Sequence, residues 1–256
     1  MSSASNRDLT ELPNARHRTV WRRALATLGA VALIAALVVP GMRGSVVAAR
    51  RNGCTCHGKQ LGIALQNYHD VYKSFPPAYV ADENGRPMHS WRVLILPFME
   101  GQQFFSQYRF DEPWNGPNNS KLAARFDSSI YRCPAADGDP SETCYVAVVG
   151  PETMWPGARA TTIGDVRDGT SQTIALVEVV HSGIHWMEPR DLTIEQALAG
   201  INPNDRGAHI SSNHPGGAHV ICGNANVSFI PNGLSTNRLR ALLTASGGEH
   251  VEIPED

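Results

Sequence analysis

"ALATLGAVALIAALVVP", residues 24–40, decides how the rest of this chain is read. Sixteen residues run without a charge before Pro40, and all but Thr27 are small or apolar. A helix that crosses a bilayer needs about 20 such residues, with ~17 as the lower edge. With Gly41 and Met42 added, the run reaches that range. It has no polar face, which sets it apart from an amphipathic helix lying on a core. Arg16, Arg18, Arg22 and Arg23 precede it, and Arg43, Arg50 and Arg51 follow. That bias, though thin, favours a cytoplasmic N-terminus. The expectation is a tail over residues 1–23 and a transmembrane anchor over 24–42 in contact with membrane lipid. A helical stalk over 43–73 and an exported domain over 74–256 would follow. The alternative is a secretory signal cleaved after "VVAA", with Val47 and Ala49 at the small-residue positions, releasing a secreted domain. The long stretch between Val39 and Ala49 counts against cleavage.

Charge agrees with this division. Residues 1–60 carry nine Lys or Arg against two acids, while residues 61–256 carry 13 against 22, giving −2 for all 256 residues. Phosphate backbones are bound by Lys and Arg that displace counterions, so an acidic folded part disfavours nucleic acid as a partner. Five cysteines suit an exported chain, where disulfides persist. The odd count leaves at least one thiol over, and spacing alone does not assign the pairs.

Beyond the apolar run, helix is expected to continue over residues 41–72. Leu61, Ala64, Leu65, Tyr68 and Tyr72 recur at spacings of three and four, and Pro76 and Pro77 stop the helix. "SWRVLILPFMEGQQFFSQY" reads as two short helices broken near Pro97. "FDEPWNGPNNS" reads as an ordered loop. "TCYVAVVG" and "QTIALVEVV" read as strands. "AHVICG" and "NVSFIP" form a hairpin turning near Asn224 and Ala225, where Ala225 is a poorer turn residue than glycine. "STNRLRALLTASGGE" is a helix capped by Ser235 and ending at Gly247. The outline is α+β: a long N-terminal helix, partly transmembrane, and then a β-rich domain with short helices.

The run "LVVPGMRGSVVAARRNGC" into "KQLGIALQNYHDVYKSFPPAYV" resembles the opening of the bacterial pilin-like family catalogued as domain of unknown function 1559. Further motifs follow in the family's order: "SWRVLILPFME" with Trp91; "DEPWNGPNN" with Asp111, Pro113 and Trp114; and "YRCP". Then come "DVRDGTSQTIALVEV" with Asp168, Gly169, Thr170 and Ser171, and "WMEPRDL" with Trp186, Pro189, Asp191 and Leu192. "HPGGAHV", with His214, Pro215, Gly216 and Gly217, and "LRALLTASGGE" close the series. The resemblance spans roughly residues 24–250 and implies a likeness to the pseudopilins of type II secretion. In these an N-terminal helix, half inserted in the inner membrane, carries a small extracytoplasmic antiparallel β-rich domain. It implies that the motif residues are structural, that Cys54 and Cys133 form a disulfide, and that no catalysis or cofactor is to be expected. The chain departs from the family where a prepilin cleavage signal belongs. The glycine and glutamate positions fall near Arg18 and Arg23, which puts pilus-style processing in doubt.

"GCTCHG" is one residue short of the C-x-x-C-H that attaches haem. His181 and His185 in "HSGIH", and His209, His214 and His219, match no metal motif, so solvated or locally hydrogen-bonded histidines are expected and no metal. "DGDPSE", residues 137–142, lacks the glycine and final acid of a calcium loop. Ser171 has no nucleophile elbow around it. Glu178 and Glu188 could pair as carboxylates, but nothing in the sequence brings them together. The leading expectation is a non-enzymatic envelope protein. The alternatives are an exported metal-dependent hydrolase using the histidine-rich half, or a glycan-binding module using Trp114, Trp155 or Trp186.

Overall fold

The computed structural model describes residues 15–203, 208–249 and 251–254; the side chains of residues 15–19, 35 and 37–44 lie outside the described set. The expected tail over residues 1–14 falls outside it too. Helix α1 (Ala15–Tyr72) already covers the last part of the expected tail. Compact units divide between residues 48 and 49.

In the first unit, residues 15–48, Val20, Leu25, Leu28, Val31, Leu33 and Ile34 are exposed. Among the described residues no helix is long and apolar enough to cross a membrane. Of the expected span, residues 35 and 37–42 have side chains outside the described set.

In the second unit, α1 contributes residues 49–72. Leu61, Ala64 and Leu65 of the expected helix face are buried, Tyr68 is half-buried and Tyr72 is exposed at the helix end. The expected stalk is therefore split, and its larger part is built into the domain core. The helix stops where Lys73 turns to a positive φ of 60° ahead of the two prolines. β1 (Tyr79–Ala81) and β2 (Pro87–Ser90) form a small antiparallel sheet. α2 (Trp91–Leu94) starts at Ser90, whose hydroxyl accepts from the Arg92 amide. Pro97 lies between two short α-helices, as expected, in the first turn of a 3-10 helix (Leu96–Phe98), where its missing amide costs nothing. α3 (Gln102–Phe105) follows. The loop expected over residues 110–120 is shorter, because α4 (Pro117–Ala123) takes its second half, again with proline leading.

The central sheet has the strand order β5 (Leu192–Thr193), β3 (Tyr145–Val149), β4 (Ile174–Glu178), β6 (Gly217–Cys222) and β7 (Val227–Pro231). All neighbours are antiparallel except β3 and β5, which run parallel. Side chains alternate across it. Tyr145, Ala147 and Ile221 face α1 and an aromatic layer holding Trp91, Trp155 and Trp186. Val146, Val148 and Val220 face the other way, against Leu239, Leu242 and Leu243 of α6 (Thr236–Leu243) and Ile194 and Ala197 of α5 (Ile194–Ala197). A register shift between Ile174 and Leu176 puts Ala175 and Leu176 into the same cluster. The expected hairpin is β6–β7. Its turn residue Ala225 takes a φ of 68°, and its Cα lies 2.7 Å from where a Cβ on Gly62 of α1 would stand. Ser235 caps α6 as expected, though the helix ends at Leu243 rather than at Gly247.

Candidate functional site

The stretch around His214 and His219 ends up against α1 and the last residue of β4. Cys54, on α1, is bonded to Cys133, 79 positions later and just after a 3-10 turn (Ser129–Tyr131). The turn is fixed by Tyr131, whose ring stacks on Trp186 at 5.5 Å and whose hydroxyl donates to the Arg92 carbonyl at 2.7 Å. Closing a loop of this length stabilises the fold by about 4 kcal/mol in the chain-entropy account.

His214 precedes β6 in a turn that Gly216 permits with a φ of 94°. Its Nε2 lies 3.1 Å from Cys54 Sγ and 3.3 Å from Cys133 Sγ. Glu178 closes β4 and is wholly buried. The backbone amide of His219 donates to Glu178 Oε2 at 3.1 Å, and His219 Nδ1 stands 3.2 Å from the same oxygen. His219 Nε2 faces the Thr55 hydroxyl at 3.4 Å. The two imidazoles meet edge to face at 4.9 Å, His219 rests against the Phe229 ring, and the Arg51 guanidinium covers that ring at 4.2 Å. Burial holds His214 below the ordinary imidazole range, with the Glu178 carboxylate opposing and His219 and Arg51 reinforcing.

One ligand atom each from Cys54, Cys133, Glu178 and His214 lies within 4.8 Å of all the others. No short motif marks these four in the sequence, because they come from α1, a loop, β4 and the turn before β6. His214 and His219 are buried and locally hydrogen-bonded rather than solvated. The lone acid in "TIALVEVV" was the available signal for the buried Glu178.

Cys56 is exposed, and Cys144 and Cys222 are buried free thiols. Burial pushes Cys144 up to about 11 and Cys222 up to about 12. Glu178 and Glu188 do not act as a pair: Glu188 holds Arg190 at 2.6 Å and accepts from the His185 amide.

The motif residues are placed as follows. Arg92, a lone charge in "SWRVLIL", reaches Asp191 of "WMEPRDL" at 2.5 Å. The same Asp191 oxygen accepts from the Trp91 indole and the Ala147 amide. Asp168 accepts from the amides of Gly247 and Gly248, at 2.7 and 2.9 Å, so "DGTS" fastens the C-terminal "SGGE" turn. Gly169 supplies a positive φ there, the Thr170 carbonyl accepts from Asn224, and Ser171 is exposed. In "DEPWNGPNN", the sequence reading missed Glu112, which accepts from the first amides of α4, and the buried Asn119, which donates to the Pro113 carbonyl. Asp111 is exposed, and Trp114 stacks on His185 at 5.2 Å. Trp155 and Trp186 are core residues, because both are large enough to fill the layer over the sheet, and this removes them from any glycan surface.

Residues 47–154 match the family model described as "Protein of unknown function (DUF1559)". The match takes in "VAARRNGC", the helix to "SFPPAYV", "SWRVLILPFME", "DEPWNGPNN" and "YRCP", and so bears out the family resemblance over that stretch. The motifs after Met154 lie beyond it. No curated protein and no solved structure matches the chain.

Proposed function

We propose that this is a membrane-anchored, extracytoplasmic, pilin-like structural or interaction protein of the bacterial cell envelope, without catalytic activity. The observation that carries the reading is the Cys54–Cys133 bridge. A buried disulfide joining distant parts of a domain persists in oxidising compartments and is rare in the cytosol. The apolar run over residues 24–42, with its exposed Leu25, Leu28, Val31 and Leu33, supports the anchor. Its arginine flanks support a cytoplasmic N-terminus in the inner membrane. The Arg92–Asp191 pair, the turn held by Asp168 and the packing of Trp91 and Trp186 support a non-catalytic role.

Protease shaving of intact spheroplasts tests the placement. The domain is expected to be accessible from outside while the chain stays in the membrane fraction through an alkaline wash. A domain cut only after lysis, or a chain released by the wash, contradicts the reading.

A further inference from the structure

Glu178 Oε1 is buried and has no hydrogen-bond partner among the described residues, while Oε2 is held twice by His219. An orphaned carboxylate oxygen in a core costs free energy, so its presence asks for a partner. The same carboxylate belongs to a cluster with the two bridged sulfurs and the His214 imidazole, one ligand atom of each residue lying within 4.8 Å of all the others. Two thiolates, an imidazole and a carboxylate are ligands that zinc accepts, and four is the coordination number of its closed structural sites. The two sulfurs cannot both serve while they are bonded to each other.

We propose that reduction of the Cys54–Cys133 bridge converts this cluster into a zinc site formed by Cys54, Cys133, His214 and Glu178. Disulfide and metal are then alternative cross-links between α1 and the sheet. A phosphine reductant supplies two electrons and takes an oxygen atom from water to become its oxide, the S–S bond breaks, and the two protons of that water give two thiols. Zinc then displaces both thiol protons to solvent and binds the sulfurs as thiolates. His219 is a positioning residue, since its amide and ring fix the Glu178 carboxylate through Oε2 and leave Oε1 without a partner among the described residues. All four donors are buried, which suits a closed site rather than a catalytic one with an open position for substrate.

The test uses the full chain in detergent, with and without phosphine, titrated with cobalt(II) and then zinc(II). The oxidised protein is expected to take up no cobalt. The reduced protein takes up one ion per chain, showing thiolate-to-cobalt charge transfer and the intense visible bands of a tetrahedral site, and zinc displaces it. Glu178→Gln keeps the side-chain shape and weakens binding, as does His214→Ala, each by more than about 100-fold, beyond the loss typical of an outer-shell change. Cys133→Ser weakens the charge-transfer band by leaving Cys54 as the one thiolate donor, Cys54→Ser with Cys133→Ser removes it, and Cys56→Ser leaves uptake unchanged. Three results overturn the proposal: no cobalt bound by a reduced chain with native circular dichroism; binding that survives both Glu178→Gln and His214→Ala; or a reduced chain that unfolds and is not refolded by cobalt or zinc.

Discussion

Arg92 and Asp191 form an enclosed ion pair, 2.5 Å between guanidinium nitrogen and carboxylate oxygen, with both side chains almost wholly out of solvent. Arg92 also donates twice to the Tyr145 carbonyl, at 3.1 and 3.0 Å. Asp191 ties the pair to the sheet by accepting from the Ala147 amide at 2.8 Å. Burial pushes the Asp191 carboxyl upward, and Arg92, the Ala147 amide and the Trp91 indole pull back without fully offsetting it. Such a pair adds little over apolar packing, yet losing one partner strands a buried charge. Asp191→Asn is therefore expected to lower stability by about 3–5 kcal/mol in urea unfolding. Replacing Arg92 by Met and Asp191 by Leu together costs less than the sum of the single changes. A double variant as unstable as that sum contradicts the pairing.

The bridge makes a separate prediction. Cys54→Ser with Cys133→Ser removes a cross-link spanning 79 positions. The loss is expected to be about 4 kcal/mol, read as a lower urea midpoint. An unchanged midpoint means that the bridge does not form in the protein as produced.

Thiol chemistry separates the remaining cysteines. Cys56 is exposed, while Cys144 and Cys222 are raised from 9 to about 11 and about 12. At pH 8 those shifts alone cut the thiolate population about 100-fold and about 1,000-fold, and burial blocks access further. Iodoacetamide on the native protein should label Cys56 alone, with Cys144 and Cys222 following only in denaturant.

Histidines held low by burial, His214 and two others, set an acid limit. Burial lowers His89, which faces the Tyr108 hydroxyl and the Phe110 carbonyl; burial also lowers His185, against which Glu188 and Asp139 act. A depressed histidine leaves the unfolded chain binding more protons than the native one, so stability rises with pH in that window. Tm should be level above about pH 6.5 and fall as pH drops below it, before the lowered carboxylates such as Asp165 begin to titrate. His89→Gln should flatten the upper part of that slope. An identical slope in the variant assigns the acid loss elsewhere.

Gly62 marks where the β6–β7 turn meets α1. An added Cβ would lie 2.7 Å from Ala225 Cα and 2.8 Å from Ala225 Cβ, neither of which can swing aside. Gly62→Ala gains about 1 kcal/mol of helix propensity. It is nevertheless expected to destabilise by about 1–2 kcal/mol, because the hairpin has to shift. A stabilised variant would show that the turn does not rest on the helix.

Element types were legible in the sequence because they rest on local signals. The spacing of Leu61, Ala64 and Leu65, the stop at Pro76, the β-branched runs and the Ser235 cap each act within a few residues. Helix edges at prolines were harder, since Pro97 and Pro117 start turns rather than ending them. The Cys54–Cys133 pair came through the family resemblance, not from spacing. The Arg92–Asp191 pair and the cluster around Glu178 were out of reach, because the first joins residues 99 positions apart and the second reaches across 160. What the sequence does show is the anomaly: one arginine in "SWRVLIL" and one glutamate in "TIALVEVV", each a charge where the pattern calls for none.

The most direct test of an anchored, exported and oxidised domain is the mass of the denatured, non-reduced, alkylated protein taken from washed native membranes. A full-length chain carrying three alkyl groups, rising to five after reduction, is the expected result. Five groups without reduction, or a soluble chain beginning near Arg50, would contradict it.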